Sequence, residues 1–260
     1  EYLGEYLSME LIENKRVGKV LLIVEGSKHE FSLMKKIFVD VLGYTQIEKR
    51  REREEYYVRE GDKHSIVAVV NTKTSNISSI NSEEYLDQIY EELIEKYEFD
   101  IDNTAIYYLF DRDPESNTDT VLIKKLIQCL KNSRENDENM RNGMLILSYP
   151  AVEAYEISSF EDESYNKQMR LGSDAKKYIN EHAKTISMNK ICKANIIHAG
   201  VEMLKYLEQK KIPLDLDEFN NTNGMVFDEQ EKNFRESDTF RILSMISCVL
   251  MDLGVLIQRE

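Results

Sequence analysis

Short, continuous apolar runs alternate along about the first 160 residues with segments whose apolar positions recur every three or four residues. The runs are rich in β-branched residues, a pattern typical of strands that are buried on both faces of a sheet. They predict core strands at 19–24, 65–70, 105–110 and 143–148, and a strand at 55–58 that a turn at 60–63 joins to the next.

The segments with helical spacing predict amphipathic helices between these strands. Phe31, Met34 and Ile37, for example, follow the first core strand at intervals of three residues. The predicted helices lie at 6–15, 31–42, 82–97 and 119–131. Alternation of strand and helix implies right-handed crossovers, so we expect a mainly parallel sheet.

From Ala151 onward the sequence shows no convincing strand pattern. Helices are predicted at 151–159, 173–184, 188–209 and 237–257, with a polar, acidic loop at 211–236. We therefore expect an α/β fold, with a mainly parallel sheet sandwiched by helices over residues 1–160. A helical C-terminal region at 161–260 would follow it.

Composition and charge narrow the classes of function. The chain of 260 residues has 10 Gly and 3 Pro, which favours helices joined by short loops. Its 34 basic and 48 acidic residues give a net charge of −14, which argues against passive coating of nucleic acid through many Lys and Arg contacts. A nuclease stays compatible with this charge, because bound divalent cations can supply positive charge at the phosphate.

Cysteine usage and hydropathy point to the cytoplasm. The three cysteines are odd in number and widely spaced, so neither a disulfide scaffold nor a Cys-based zinc site is expected. The most apolar late stretch, 240–257, is short for a bilayer span and contains Arg241 and Asp252. The first residues lack the cationic segment of a secretory signal. We expect a cytoplasmic protein without a membrane partner.

Acidic residues follow three of the predicted core strands. Glu25 follows the strand at 19–24, Asp111 and Asp113 follow the strand at 105–110, and Glu153 comes soon after the fourth strand. In open α/β sheets, functional groups gather beyond the carboxyl ends of the strands. Asp111 and Asp113 would project to one side of an extended segment. Carboxylates so placed suit Mg²⁺ or Mn²⁺.

Each of these acids also has a purely structural alternative. Acids after a strand often cap the next helix, but the helix predicted after Asp111 and Asp113 begins several residues later, which favours metal binding. Taken alone, Glu25 can equally be a turn acid, Glu30 a solvated helix residue and Glu153 a first-turn acid. For Glu25, the coincidence with the Asp pair at parallel strand ends favours the functional role, whereas both interpretations stay open for Glu30 and Glu153.

Two segments resemble the motifs of the Toprim domain. They are Val24-Glu25-Gly26 and Phe110-Asp111-Arg112-Asp113, each of which follows an apolar strand. That domain is shared by type IA and type II topoisomerases, bacterial primases and several nuclease families. The resemblance covers roughly residues 18–160. It implies that Glu25 is a general acid or base and that the two aspartates bind the catalytic metal.

A finer resemblance points to RloB-like and related phage-defence (OLD-like) Toprim nucleases. Residues 25–31 are similar to their Glu-Gly-x-x-Thr-Glu segment, and 148–155 to their Asn-Pro-x-Phe-Glu-x-Trp segment. Glu30 and Glu153 are retained, which implies a two-metal site with Glu25, Asp111 and Asp113. The departures are His29 for Thr, Tyr149 for Asn, Val152 for Phe and Tyr155 for Trp. They leave the subfamily open more than the chemistry.

Phosphodiester cleavage needs an activated nucleophile and neutralisation of charge on the phosphate, which two Mg²⁺ or Mn²⁺ ions can supply. Three basic residues on or near the predicted rim are candidates for contact with the substrate phosphate. These are Lys28, Lys73 and Arg112.

Other signals are weaker. Asp215 and Asp217 form a second Asp-x-Asp, but no apolar strand precedes them, so a solvated position is expected. His182 and His198 lie on predicted helices without an evident metal-ligand partner, and a structural role is expected for both. No Walker, GxGxxG or GxSxG motif occurs, so nucleotide hydrolysis, dinucleotide binding and α/β-hydrolase chemistry are unsupported.

The leading hypothesis is a metal-dependent Toprim endonuclease that cleaves DNA or RNA, with tRNA among the candidate substrates. The resemblance also implies an effector role in bacterial anti-phage defence and an ATPase partner from the same locus. The alternative is a non-catalytic Toprim partner module of a defence ATPase complex, with 240–257 as an interface. A primase-like nucleotidyl transferase ranks lower, because no zinc-binding segment is present. The oligomeric state stays open, a homodimer included.

Overall fold

The computed structural model describes residues 8–47, 54–72, 76–81, 91, 99, 103–134 and 143–259. Its longer strands are β1 (Ser8–Leu11), β2 (Lys19–Val24), β4 (Glu54–Arg59), β5 (Asp62–Asn71), β6 (Thr104–Asp111), β7 (Met144–Tyr149) and β11 (Leu256–Arg259). Four strands of two residues complete the set: β3 (Thr45–Gln46), β8 (Gln168–Met169), β9 (Phe240–Arg241) and β10 (Leu243–Ser244).

The described helices lie mostly in the second half of the chain. They are α1 (His29–Lys35), α2 (Thr120–Cys129), α3 (Glu153–Phe160), α4 (Gly172–Glu181), α5 (Lys193–Lys210), α6 (Phe219–Ser237) and α7 (Ile246–Asp252). A π-helical segment, Lys36–Val41, extends α1, and a 3₁₀ turn at Met188–Lys190 precedes α5. No helix in the described part of the chain is long and apolar enough to cross a bilayer.

Seven strands form one mixed sheet in the order β10-β7-β6-β2-β5-β4-β3. The four central strands, β7, β6, β2 and β5, are parallel to one another. At the edges, β10 pairs with β7, β4 with β5 and β3 with β4, all antiparallel. The fold is therefore α/β, as predicted, but the sheet is mixed rather than mainly parallel. The predicted parallel alternation holds for its four central strands.

The central strands are mostly apolar along the parts that helices cover on both faces. In β2 the side chains from Val20 to Val24 are fully buried, so the alternate residues on both faces are covered. β6 follows the same rule from Thr104 to Phe110. This is the pattern that identified the core strands in the sequence.

Three predicted elements are wrong. The segment predicted as a helix at 6–15 contains strand β1 instead, which pairs antiparallel with β11. The loop predicted at 211–236 contains α6, and the helix predicted at 237–257 is divided into β9, β10, α7 and the start of β11. The helix predicted at 82–97 falls, apart from residue 91, outside the described residues.

The C-terminal region contributes directly to the sheet. Its strand β10 pairs with β7 through Leu243 opposite Tyr149 and Ser244 opposite Ser148. The hydroxyl groups of Ser148 and Ser244 are hydrogen-bonded at 2.9 Å. The expectation that no strand follows residue 160 is therefore wrong, although helices make up most of that region.

Candidate metal centre

Parallel pairing brings the ends of three central strands to one edge of the sheet. Val24 of β2 lies opposite Leu109 of β6, and the Glu25 amide donates to the Leu109 carbonyl at 3.1 Å. On the other side, the Arg112 amide donates to the Ser148 carbonyl of β7 at 2.8 Å. The segments after β2, β6 and β7 therefore run side by side.

Five acidic side chains line one cavity of about 410 Å³ at this edge. They are Glu25, Glu30, Asp111, Asp113 and Glu153, and the space they surround is called the acidic cavity below. All five were predicted from the sequence as metal ligands. Lys28, His29 and Lys176 also line the acidic cavity.

Glu25 is held by hydrogen bonds at the bottom of this site. One carboxylate oxygen accepts from the Asp111 amide at 2.9 Å, and the Asn117 side-chain amide donates to both oxygens at 3.0 and 3.2 Å. Burial raises the pKa of Glu25 to about 7, although these hydrogen bonds oppose the change and the charges of Glu30 and Asp113 add to it. Glu25 can therefore gain or lose a proton near neutral pH.

Asp111 combines burial with several like charges. Its Oδ1 accepts a hydrogen bond of 2.8 Å from the Val152 amide at the start of α3. Burial raises the pKa of Asp111 well above its ordinary value, and the charges of Glu25, Glu30 and Glu153 raise it further, against the effect of that hydrogen bond. A cation in the acidic cavity would reverse this repulsion.

Asp113 is oriented by backbone amides. Its Oδ2 accepts a hydrogen bond of 2.7 Å from the amide of Gly172, the first residue of α4, and its Oδ1 accepts one of 2.9 Å from Glu115. Glycine is required at 172, because a Cβ there would lie 3.0 Å from the Asp113 carboxylate and 2.9 Å from the Ala151 Cβ. Helix α4, outside the predicted core, thus positions a predicted metal ligand.

Glu30 reaches back from the first turn of α1. Its Oε1 accepts a hydrogen bond of 3.0 Å from the Gly26 amide. A Cβ at Gly26 would lie only 2.3 Å from a Glu30 carboxylate oxygen, so the bare glycine backbone makes room for this acid. The Glu-Gly pair at 25–26 therefore contributes the Glu25 carboxylate and leaves space for that of Glu30.

Glu153 is the most exceptional of the five acids. Only 1% of its surface is exposed, and among the described residues no hydrogen bond reaches either carboxylate oxygen. His29 Nδ1 and Lys176 Nζ each lie 3.7 Å from its Oε1, beyond hydrogen-bond distance. Burial raises the pKa of Glu153, although the charges of His29 and Lys176 oppose this. His29 and Lys176 thus offset part of the charge, while both carboxylate oxygens stay open to a hydrogen-bond donor or a metal ion.

His29 bridges two buried glutamates of α3. Its Nε2 lies 3.4 Å from Glu156 Oε2, and its Nδ1 faces Glu153. Burial lowers the pKa of His29, but the carboxylates of Glu156, Glu153 and Glu30 outweigh this effect and raise the pKa above its ordinary value.

The three basic residues predicted to contact phosphate have different positions. Lys28 lines the acidic cavity, as expected. Arg112 does not: its guanidinium is buried, pairs with Glu231 at 2.6 Å and lies over the Phe240 ring. Its role is to hold α6 and β9 to the sheet, which leaves it unavailable to a phosphate in the acidic cavity. Lys73 lies outside the described residues.

Sequence reasoning missed three residues of this site. Asn117 links Glu25 to the Asp111 carbonyl, to which it donates at 2.7 Å, and no sequence signal distinguishes it from a loop asparagine. Lys176 comes from α4, whose approach to the site depends on tertiary packing. Glu156 follows Glu153 at a spacing of three, so their shared helix face was readable from the sequence.

A second cluster of metal-ligand types lies away from the acidic cavity. Asp162, His198 and Glu202 have ligand atoms within 4.8 Å of one another, and Glu202 is the i+4 partner that the sequence analysis overlooked for His198. Here, however, hydrogen bonds already engage the groups. His198 contacts the Ser158 carbonyl at 2.7 Å and Asp162 at 3.0 Å, while Glu202 accepts from the Ser164 amide at 2.8 Å.

The donor types of the acidic cavity suit a hard divalent cation, although among the described residues no three of its carboxylates bring ligand atoms within 4.8 Å of one another. Five carboxylates offer oxygen ligands, the preferred donors for Mg²⁺ and Mn²⁺, and Glu153 supplies two oxygens without hydrogen bonds. Comparison of the chain with known proteins finds no relative: no family model, no curated protein and no solved structure matches it.

Proposed function

We propose that the acidic cavity binds divalent metal ions, Mg²⁺ or Mn²⁺, and that the protein is a nuclease of the Toprim type. The observation that carries the proposal is the buried Glu153 carboxylate, which lacks hydrogen bonds and shares one cavity with four other acids. Such a cluster of like charges is stabilised by cations. Two ions would match the number of carboxylates.

The environment of each side chain indicates its expected role in the reaction. Asp111, Asp113 and Glu153 would hold the metal, with Glu30 in support. The metal would neutralise charge on the phosphate and lower the pKa of a bound water. Glu25, whose pKa is raised by burial, would accept or release a proton during bond cleavage. Lys28 and Lys176 line the same cavity and would contact phosphate oxygens.

The biological setting is proposed from the sequence resemblance alone. We propose an effector of bacterial anti-phage defence that acts with an ATPase from the same locus on DNA or RNA, tRNA included. A cytoplasmic location suits the three free cysteines, Cys129, Cys192 and Cys248.

The test is a cleavage assay with matched variants. The purified protein, alone and with its neighbouring ATPase, is incubated with plasmid, single-stranded DNA and total tRNA in Mg²⁺ or Mn²⁺. We expect cleavage of at least one substrate, its abolition by chelator and its loss in Asp111→Asn. Asp217→Asn, an exposed acid in the second Asp-x-Asp, is the control and should stay active.

Two results would overturn the proposal. Undiminished cleavage by Asp111→Asn would mean that the acidic cavity is not the site of cleavage. Absence of cleavage of every substrate, with or without the ATPase, would favour the alternative of a non-catalytic partner module.

A further inference from the structure

A second cavity of about 460 Å³ opens beside the acidic cavity. The two share Lys28 and His29 as walls, so they are adjoining parts of one surface depression. The second cavity is called the side pocket below. Its outer wall is formed by the end of α4 and the segment that leads into α5, namely Ile179, Asn180, Ala183, Ile186, Met188 and Asn189.

The outer wall of the side pocket has no acidic residue, unlike the acidic cavity. Its apolar part, called the apolar floor below, consists of Ile179, Ile186 and Met188. The side chains of Asn180 and Asn189 are exposed at its edge, and within the described ranges no hydrogen bond engages either amide. An apolar surface with a few free polar groups is typical of sites for small molecules.

We propose that the side pocket receives an unpaired nucleobase next to the scissile phosphate. This inference rests on the proposed function, in which a phosphodiester lies in the acidic cavity. In a nucleotide, a single sugar links the phosphate to the base. A base whose phosphate lies in the acidic cavity can therefore lie in the adjoining side pocket. The apolar floor covers the base face, and the amides of Asn180 and Asn189 can donate to or accept from its edge.

The proposal defines the class of substrate. A base inside a duplex is stacked and paired, and it enters a pocket only after the cost of unpairing has been met. Single-stranded DNA or RNA, or the loop of a folded RNA, has no such cost. The protein should therefore prefer unpaired strands over duplex of the same sequence.

The test blocks the side pocket without touching the acidic cavity. Ala183 is exposed on the pocket wall, so Ala183→Phe fills the space from outside the core. Ala194 is exposed at the start of α5 and lines neither cavity, which makes Ala194→Phe the matched control. Binding of a labelled single-stranded oligonucleotide in Ca²⁺ is measured by anisotropy, beside the same oligonucleotide with abasic sites throughout and a duplex.

We expect Ala183→Phe to bind the single strand about tenfold more weakly than wild type, and Ala194→Phe to bind it equally. The abasic strand should bind wild type and Ala183→Phe with the same low affinity, and the duplex should bind wild type more weakly than the single strand.

Equal affinity of wild type and Ala183→Phe for the single strand would overturn the inference. So would equal affinity of wild type for normal and abasic strands, or no binding of any oligonucleotide. Because the readout is binding, the two proposals can fail separately. Base-dependent binding without cleavage in Mg²⁺ or Mn²⁺ would retain the side pocket and reject the nuclease.

Discussion

At the scale of single residues, the acidic cavity is an arrangement that is costly without a cation. Burial raises the pKa of Glu25, Asp111 and Glu153, and the charges of neighbouring acids contribute to each shift. Replacing one acid by its amide keeps the shape and an acceptor oxygen but removes a negative charge. This substitution is gentler than alanine, since alanine at 25 would leave Asn117 and the Asp111 amide without their acceptor.

Added Mg²⁺ should stabilise the wild type more than Asp111→Asn. A ligand at a hundred times its Kd stabilises the folded state by about 2.7 kcal/mol, which raises Tm by about 5–10 °C in a protein of this size. We expect such a shift for the wild type and for the control Asp217→Asn, and a shift close to zero for Asp111→Asn. Thermal unfolding with and without Mg²⁺ measures it, and equal shifts in all three proteins would place the ion elsewhere.

The metal-free protein should lose stability as the pH rises from about 5 to about 8. The pKa of Glu25 is raised to about 7 in the folded state, so its contribution to stability is fully present below the unfolded value and is lost as the pH passes the folded value. A shift of this size corresponds to about 3 kcal/mol. Denaturant unfolding in chelator should show this decline in the wild type and a smaller one in Glu25→Gln. Parallel pH profiles would contradict the assignment.

At the scale of elements, the site depends on close contact between backbone and carboxylates. The turn from β2 to α1 passes Gly26 next to Glu30, and the start of α4 brings the Gly172 amide to Asp113. In both places a Cβ would crowd a carboxylate oxygen, at 2.3 Å for Glu30 and 3.0 Å for Asp113. These two glycines therefore determine where two acids lie.

Gly26→Ala should weaken metal binding while the fold stays intact. The new Cβ would lie 2.3 Å from the end of the flexible Glu30 side chain, which can move away at low cost but then leaves its place in the acidic cavity. We expect the Mg²⁺-induced Tm shift to fall by about half.

The control for this substitution is Gly224→Ala in the middle of α6. Its Cβ would meet only Ile127, at an ordinary distance of 3.9 Å, and alanine favours a helix over glycine by about 1 kcal/mol. It should raise Tm slightly and keep the full Mg²⁺ shift. An unchanged shift in Gly26→Ala would mean that Glu30 is not a ligand.

Element prediction succeeded where the pattern was strong and failed where it was short or polar. The buried strands and the helices that start near 29, 120, 153, 172 and 193 were read from apolar periodicity. α6 was missed because polar residues dominate it, although Phe219, Val226, Phe227 and Phe234 occupy one helical stripe. β1 was mistaken for a helix, since four residues cannot distinguish the two periods and its partner β11 lies at the other end of the chain.

At the scale of the whole molecule, the C-terminal region completes the sheet that carries the site. β10 covers the edge of β7, Phe240 packs against Tyr149 with ring centroids 5.9 Å apart, and Asn223 of α6 donates to the Leu145 carbonyl at 2.9 Å. β1 and β11 join the two ends of the described chain. Residues before and after 160 therefore share one packed core.

A chain that ends at residue 239 should not fold cooperatively. It lacks β9, β10, α7 and β11, which exposes the edge of β7 and leaves β1 without its partner. We expect no sharp unfolding transition in circular dichroism and no Mg²⁺ response. The control Ile257→Thr changes an exposed residue of β11 and should melt like the wild type. A cooperative transition in the shortened chain would show that residues 1–239 fold without the C-terminal strands and α7.

Local patterns in the sequence are enough to predict the core strands and the acids that lie at their carboxyl ends. Apolar periodicity predicts strands locally, and the parallel order then brings Glu25, Asp111 and Asp113 to one edge. The remaining features depend on how the elements pack against one another. Contacts between residues far apart in the chain pair β10 with β7 in antiparallel orientation. Such contacts also place Lys176 in the acidic cavity and pair Arg112 with Glu231, away from it. Such contacts leave no periodic signal, because their free energy comes from packing between elements rather than from local conformation.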